Sequence, residues 1–101
     1  MHRTVTAGLD GSPESRAAAE WAAREARLRG LPLRIVHVGE PLPGGETSRE
    51  GAERIVDASR EASLLVVGRR TRTSPLGTHV GHVAHAVLHH APAPVAVVPH
   101  D

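Results

Sequence analysis

The sequence predicts an α/β protein with a single parallel sheet of about four strands in the order 2-1-3-4 and helices on its faces. Apolar runs typical of strands alternate along the chain with segments whose apolar residues recur at helical spacing. One run, "SLLVVG", is apolar throughout, as expected of a strand buried on both faces. Right-handed crossovers then let the chain wind outward from the first strand in both directions, which gives this strand order.

The first strand is predicted over residues 3–9, "RTVTAGL", and is followed by the turn "DGSPES". Ser12 is suited to cap the next helix, Pro13 to its first position and Glu14 to the positive end of its dipole. The helix "PESRAAAEWAAREARLR" should stop at Gly30. Its alanine-rich face favours close packing on a sheet.

Residues 32–38, "PLRIVHV", predict the second strand, and the glycines and prolines of "GEPLPGGETSRE" predict a loop. Thr47 and Glu50 have the spacing of a capping box, which predicts a short helix through about Ala62. The third strand follows at residues 63–68.

The last third of the chain predicts a helix over residues 78–91 and a fourth strand, "PVAVVP", over residues 94–99. The helix is predicted because its apolar residues all fall at amphipathic spacing; they are Val80, Val83, Ala84, Val87, Leu88 and Ala91.

The composition excludes several kinds of chemistry. The chain has no cysteine, so disulfides, thiolate metal sites and a cysteine nucleophile are excluded. All 12 basic side chains are arginine, which excludes a Walker A loop and a Schiff-base lysine. A net charge of +1 and a single aromatic residue, Trp21, give no support for nucleic-acid binding.

The length and hydropathy predict one cytoplasmic domain over residues 1–101. No apolar run approaches the roughly 20 residues of a membrane span, and no signal peptide precedes the first strand. We therefore expect no contact with a membrane.

The predicted strand order places a ligand crevice between the first and third strands. Ligands of such sheets bind at the carboxyl ends of the strands that flank the point where the winding reverses. Those ends are "LDGS" and "VVGRR", so Asp10 and a loop beginning at Gly68 should lie together. Arg69, Arg70 and Arg72 would give that loop affinity for an anion.

With these segments in place, the chain resembles the universal stress protein family. "TAGLDGSPESRAAAEWAAREA", "LRIVHV", "EGAERIVDASREASLLVVGRR" and "LGTHVGHVAHAVLHHAPAPVAVVP" resemble successive parts of the family pattern. The resemblance implies an adenine nucleotide alpha hydrolase-like fold and a stress-response function without catalysis. It also implies a homodimer through the C-terminal strand and an unidentified protein partner.

The chain departs from the family pattern in two places. A helix and an edge strand that the family usually carries after the second strand are missing, and only "GEPLPGGETSR" spans that gap. The second strand should therefore be an edge, with apolar surface left bare. In the family's phosphate motif, G-x2-G-x9-G-[ST], Gly68 and Gly81 match, whereas Thr71 and His82 replace a glycine and a hydroxyl residue.

The resemblance implies a weak adenine-nucleotide site for ATP or AMP, with or without Mg²⁺. Asp10 and Val38 would line the base and ribose, and the phosphates would be lined by Gly68, Arg70, Gly81, His82 and Val83. The alternative is a nucleotide-independent, dimeric interaction module with a vestigial pocket. Thr71 and His82 favour this alternative.

Other readings of the same residues stay open. Asp10 also fits a plain turn-former ahead of Gly11, and the arginines also fit a solvated loop. Helical spacing of His82, His85 and His89 would allow a Zn²⁺ site, although a polar, solvent-facing side of the helix explains this spacing better. Ser12, His37 and Asp10 could be assembled into a hydrolytic triad, but the sequence has no G-x-S-x-G elbow.

Overall fold

Through the third strand, strands and helices alternate along the chain as the sequence predicts. A computed structural model describes residues 3–39, 49–70 and 91–100. The elements are β1 (Thr4–Leu9), α1 (Pro13–Arg29), β2 (Leu33–His37), α2 (Arg49–Ala58), a 3-10 turn (Ser59–Glu61), β3 (Ala62–Arg70) and β4 (Val95–His100). Residues 78–90 of the predicted helix lie outside the described residues, as does Thr47, and Ala91, its last predicted residue, is not helical.

The four strands form one parallel sheet in the order β2-β1-β3-β4, which confirms the predicted topology. The chain leaves β1 toward β2 on one side and then returns across β1 to β3. Right-handed crossovers in opposite directions place their helices on opposite faces. Accordingly, α1 packs on one face of the sheet and α2 packs on the other.

The predicted helix signals of α1 are confirmed. Ser12 caps the helix, because its side chain accepts a hydrogen bond from the Ser15 N–H, and Pro13 occupies the first turn. At the other end Gly30 adopts the left-handed conformation, with φ of 65°, which an L side chain adopts only with strain. The start and stop of this helix are therefore set locally by the sequence.

Each face of the sheet has its own apolar core. On the α1 face, small residues bring the helix close to the strands; the buried set is Val5, Ala7, Ala18, Ala22, Ala26, Leu64 and Val66. On the α2 face the buried set is Val38, Ile55, Leu65 and Val67. Ile55 reaches into the space above Gly8, where a Cβ would lie 2.6 Å from its Cδ1.

The third strand differs from its prediction. A break at Gly68 with a loop after it was expected, but β3 continues to Arg70, and Gly68, Arg69 and Arg70 pair with successive residues of β4. The reason is the pairing with β4. Where a neighbouring strand continues the hydrogen-bond ladder, the chain stays extended even at a glycine. β3 therefore includes Arg69 and Arg70, which the sequence placed in the loop.

The second strand is an edge of the described sheet, as predicted. Leu33 and Ile35 are 39% and 42% exposed, although both are large apolar residues. Their register with Val5 and Ala7 places them on the α1 face of the sheet. The helix covers this face at the other strands and leaves these two residues exposed. The bare apolar surface expected beside the missing segment is therefore present. Among the described helices, none is long and apolar enough to cross a bilayer.

Candidate functional site

The candidate site is the crevice at the carboxyl ends of β1 and β3, together with the first turn of α1. The register pairs Ala7 of β1 with Val66 of β3, so Leu9 and Gly68 follow two residues later on each strand. The chain winds outward in both directions from this pair, which makes it the switch point of the sheet. Two of the predicted site residues, Asp10 and Gly68, are therefore brought together.

Asp10 organises the turn between β1 and α1. Its Oδ1 accepts a hydrogen bond of 2.9 Å from the Ser12 N–H, and its own N–H donates to Ser15 Oγ at 3.3 Å. Gly11, between them, has a φ of 86°. A side-chain oxygen that accepts from the N–H two residues later is the defining bond of an Asx turn. The turn-forming role of Asp10 is thus visible in its contacts.

Ser15 is a member of this network that the sequence reading did not single out. Its hydroxyl donates to the Ser12 carbonyl at 2.9 Å, and Ser12 and Ser15 are only 7% and 6% exposed. The spacing of the two serines, three residues apart at a helix start, is the signal that could have identified it. Together they hold the first turn of α1 against the end of β1.

Gly68 is placed against the same helical turn. A Cβ on Gly68 would overlap the carbonyl oxygen of Glu14 and would lie 3.0 Å from the backbone nitrogen of Ser15. Backbone atoms cannot rotate away as a side chain can, so any larger residue would push β3 and α1 apart. The glycine is therefore required by packing between strand and helix.

Val38 lies at the other side of the crevice, just beyond β2. Its N–H donates to the Leu9 carbonyl at 3.0 Å, and its side chain is 6% exposed. It packs with Ile55, Leu65 and Val67 in the core of the α2 face. Its position is at the predicted edge of the site, while its side chain belongs to the core.

The remaining predicted site residues divide into two groups. Arg70 ends β3, with its backbone opposite His100 of β4. Gly81, His82 and Val83 lie outside the described residues, as do Thr71 and Arg72. The arrangement of the phosphate side thus stays a prediction.

The alternative chemistries receive no support from the described residues. The Ser12 side chain bonds to Ser15, and His37 Nδ1 accepts from the Gly39 N–H at 3.3 Å, so their contacts do not join them into a triad with Asp10. Within residues 3–39, 49–70 and 91–100, no cluster of three metal-ligating side chains occurs. His82, His85 and His89 lie outside those ranges.

A second concavity lies away from the crevice, between β2 and α2. This groove has a volume of about 530 Å³ and contains three arginines. Arg34 pairs with Glu61 at 3.8 Å, Arg60 with Asp57 at 3.3 Å, and Arg54 donates to the His37 carbonyl at 3.2 Å. Each guanidinium has a partner within the chain, so these contacts give no specific support for an anion site in the groove.

Comparison with known proteins matches this chain to one family. The model of the universal stress protein family matches residues 1–54 and 46–99. A universal stress protein of Mycobacterium tuberculosis is 26% identical over 152 aligned positions, which include 96% of this chain and 48% of that protein. Another from Mycobacterium bovis is 30% identical, with the same coverage of each chain.

A solved structure agrees with these sequence matches. The structure of a universal stress protein from Archaeoglobus fulgidus superposes with a TM-score of 0.68 at 29% identity, covering 97% of this chain and 98% of that one. This chain spans about half the length of the curated relatives it matches.

The alignments also bear on the missing segment. An alignment of 152 positions is half as long again as this chain of 101 residues, so many positions of the relative have no counterpart here. The two pieces of the family match overlap at residues 46–54, which include the first turns of α2. The segment in which the sequence predicts a missing helix and strand, residues 39–49, ends within this overlap.

Proposed function

This chain belongs to the universal stress protein family, and from that premise we propose that it is a stress-response protein that acts by binding. Its ligand would be an adenine nucleotide, ATP or AMP, held weakly at the switch-point crevice with or without Mg²⁺. It would act without turnover of its own. A cytoplasmic location is part of the same proposal, as the resemblance implies.

The observation that carries the proposal is the position of Asp10. It follows β1 at the point where the sheet winds outward in both directions, beside the carboxyl end of β3. Sheets of this kind receive nucleotides at that point because the strands on either side diverge and leave a crevice. The first turn of α1, with its N–H groups directed toward the same end, adds a positive dipole.

The proposed residues act in two groups. Asp10 and Val38 would border the base and ribose, since both follow the carboxyl ends of neighbouring strands. The phosphates would lie near the end of β3, bordered by Gly68, Arg70, Gly81, His82 and Val83. Arg70 would supply a guanidinium for bidentate contact with phosphate oxygens.

Calorimetric titration tests this proposal directly. ATP, ADP and AMP, each with and without Mg²⁺, should give measurable heat in the high micromolar to millimolar range, about −4 to −6 kcal/mol of binding free energy. Gly81→Val should abolish that heat. In the family motif the protein backbone must approach the phosphates closely at this position, and a valine side chain would prevent it. Gly77→Val, at a position that the motif leaves unspecified, is the matched control.

Two results would contradict the nucleotide site. The absence of heat with every nucleotide at millimolar concentration would exclude it. Binding that Gly81→Val leaves unchanged would place the nucleotide elsewhere on the protein.

A second candidate function is a nucleotide-independent interaction module. The packing of Gly68 on Glu14 and the turn formed by Asp10 favour it, because both residues have structural roles that require no ligand. In this case the module would dimerise through β4, the outer strand on the side opposite β2, and would bind a protein partner. The calorimetric titration separates the two candidates, since only the first predicts heat.

A further inference from the structure

We propose that the outer side of β2 pairs with β2 of a second copy of this chain. The two strands would run antiparallel about a two-fold axis at Ile35, joining two four-stranded sheets into one of eight strands. The pairing would not depend on nucleotide binding or on a contact through β4. It would use the edge that the missing segment leaves open.

The hydrogen bonds of β2 decide which of its backbone groups face outward. The Pro32 carbonyl accepts from the Val5 N–H, and the Val38 N–H donates to the Leu9 carbonyl. Successive residues of a strand direct their backbone groups to opposite sides. Residues 32, 34, 36 and 38 therefore face β1, and the N–H and C=O groups of Leu33, Ile35 and His37 face away from the sheet.

This outward row is complementary to itself. In an antiparallel pair centred on Ile35, the two Ile35 residues exchange both of their hydrogen bonds, and Leu33 of each copy exchanges both with His37 of the other. All three outward residues of each copy are then satisfied. The His37 carbonyl also accepts from Arg54, which its second lone pair allows.

The side chains that this register brings together are also compatible with pairing. Ile35 would lie directly opposite its symmetry mate on the α1 face, where it is 42% exposed in the single chain. Such aliphatic cross-strand pairs stabilise antiparallel strands. On the other face Arg34 would lie opposite Val36 of the second copy and keep Glu61 as its counter-ion. No like charges lie directly opposite each other; the two Arg34 side chains are diagonal neighbours, each with Glu61 of its own chain beside it.

The β2 edge has few of the features by which proteins prevent such pairing. The β1–β2 register runs from Val5–Leu33 to Leu9–His37 without a bulge. Pro32 removes no donor from the outward row, because its backbone faces β1. Bulges, prolines and charged side chains are the usual protection of edge strands; Leu33–His37 contains neither a bulge nor a proline, and its arginine, Arg34, is paired with Glu61.

The opposite edge is built differently. The Leu65 N–H donates to the Pro94 carbonyl, so residues 95, 97 and 99 of β4 face outward. Pro99 has no N–H, and an antiparallel pair centred on Val97 would lose the two bonds from Pro99 to Val95. At β2, by contrast, the outward row is complete, and the edge that matches it is the same edge of a second copy.

Disulfide trapping tests the register in a chain that has no cysteine of its own. In the proposed pair the two Cα atoms at position 35 lie about 5.5 Å apart, within the range that a disulfide spans. Ile35→Cys should form a cross-linked dimer under mild oxidation at about 100 μM chain. Leu33→Cys is the matched control, since it has similar exposure on the same strand, but its symmetry mate lies about 14 Å along the strand.

The expected result is that Ile35→Cys cross-links at least about tenfold faster than Leu33→Cys, because pairing raises the effective thiol concentration. An equimolar mixture of Leu33→Cys and His37→Cys should give the heterodimer. This mixture also serves if Ile35→Cys fails to fold. Wild type should show a concentration-dependent mass in sedimentation equilibrium.

Three outcomes would overturn the proposal. Equal cross-linking rates of Ile35→Cys and Leu33→Cys would mean that the disulfides form in random collisions between chains and not in a paired dimer. Absence of the heterodimer from the mixture would exclude this register. A wild-type monomer at about 1 mM would mean that the β2 edge has some other occupant or none. Failure of nucleotide binding in calorimetry would leave the proposal unaffected, because no cross-linking position lies in the crevice.

Discussion

The crevice and the β2 edge are the two regions in which this chain departs from its family pattern, and they differ in how they are packed. At the crevice, Gly68 lies against the backbone of Glu14 and Ser15, and the buried serines bond to one another. At the β2 edge, Leu33 and Ile35 remain about 40% exposed, although they are apolar. The first region is closed by contacts within the chain, whereas in the second the described residues leave large apolar side chains exposed.

This difference predicts different consequences of mutation in the two regions. Changes at the crevice should lower the free energy of unfolding, because the residues there hold β3 and α1 together. Changes at the β2 edge should leave the folded chain intact and alter only its association. The predictions below follow from this contrast.

The largest effect is expected for Gly68→Ala. A Cβ at this position overlaps the Glu14 carbonyl oxygen, so the strand and the helix must separate. We expect a loss of about 3 kcal/mol or more in the free energy of unfolding, measured by urea denaturation. For a domain whose total stability is about 5 to 15 kcal/mol, this is a large fraction.

Gly8→Ala is the matched control for Gly68→Ala. Its Cβ would meet only the end of the Ile55 side chain, at 2.6 Å. This side chain can change rotamer, so we expect a smaller loss of about 1 to 2 kcal/mol. Equal losses for the two variants would show that the contact of Gly68 with α1 has no special importance.

A smaller effect is expected for Ser12→Ala. The change removes the acceptor for the Ser15 N–H at the start of α1, and loss of such a cap costs about 0.5 to 2 kcal/mol. Ser12→Asp should retain most of the stability, since a carboxylate can accept the same bond and favours the helix dipole. Thermal unfolding followed by circular dichroism measures both, and a stable Ser12→Ala would contradict the capping role.

The smallest effect on stability is expected at the β2 edge. At low protein concentration, Ile35→Thr should change the free energy of unfolding by no more than about 0.5 kcal/mol, because the side chain is 42% exposed and threonine is also β-branched. In wild type the melting temperature should rise with concentration, and Ile35→Thr should reduce that rise. A large loss of stability at low concentration would show that Ile35 supports the single chain.

Much of the fold could be predicted from local patterns. Ser12, Pro13 and Gly30 mark the ends of α1 because each has a conformational preference that acts without distant contacts. The strand order followed from crossover handedness, and β2 became an edge as predicted. The end of β3 could not be predicted, because the ladder with β4, and not the glycine, determines where that strand stops.

The candidate site was predictable in its position and not in the roles of its residues. Topology placed Asp10 and Gly68 at the switch point, and the structure brings them there. The buried state of Val38 and the network of Ser15 could not be predicted, since both depend on which face of a neighbouring element they meet. Family resemblance supplied the nucleotide, which remains a proposal to be tested by titration.

By itself, the sequence determined the alternation of strands and helices, the caps of α1, the strand order and the family to which the chain belongs. These depend on periodicity, backbone preference and handedness, which act over short stretches of chain. Only the tertiary structure decided that the backbone of α1 occupies the space where a Gly68 side chain would lie. It also decided that Leu33, Ile35 and His37 direct their backbone groups away from the sheet. The first depends on how closely α1 packs on β3, and the second on which alternate residues of β2 bond to β1. Both are relations between elements distant in sequence, which no local pattern encodes.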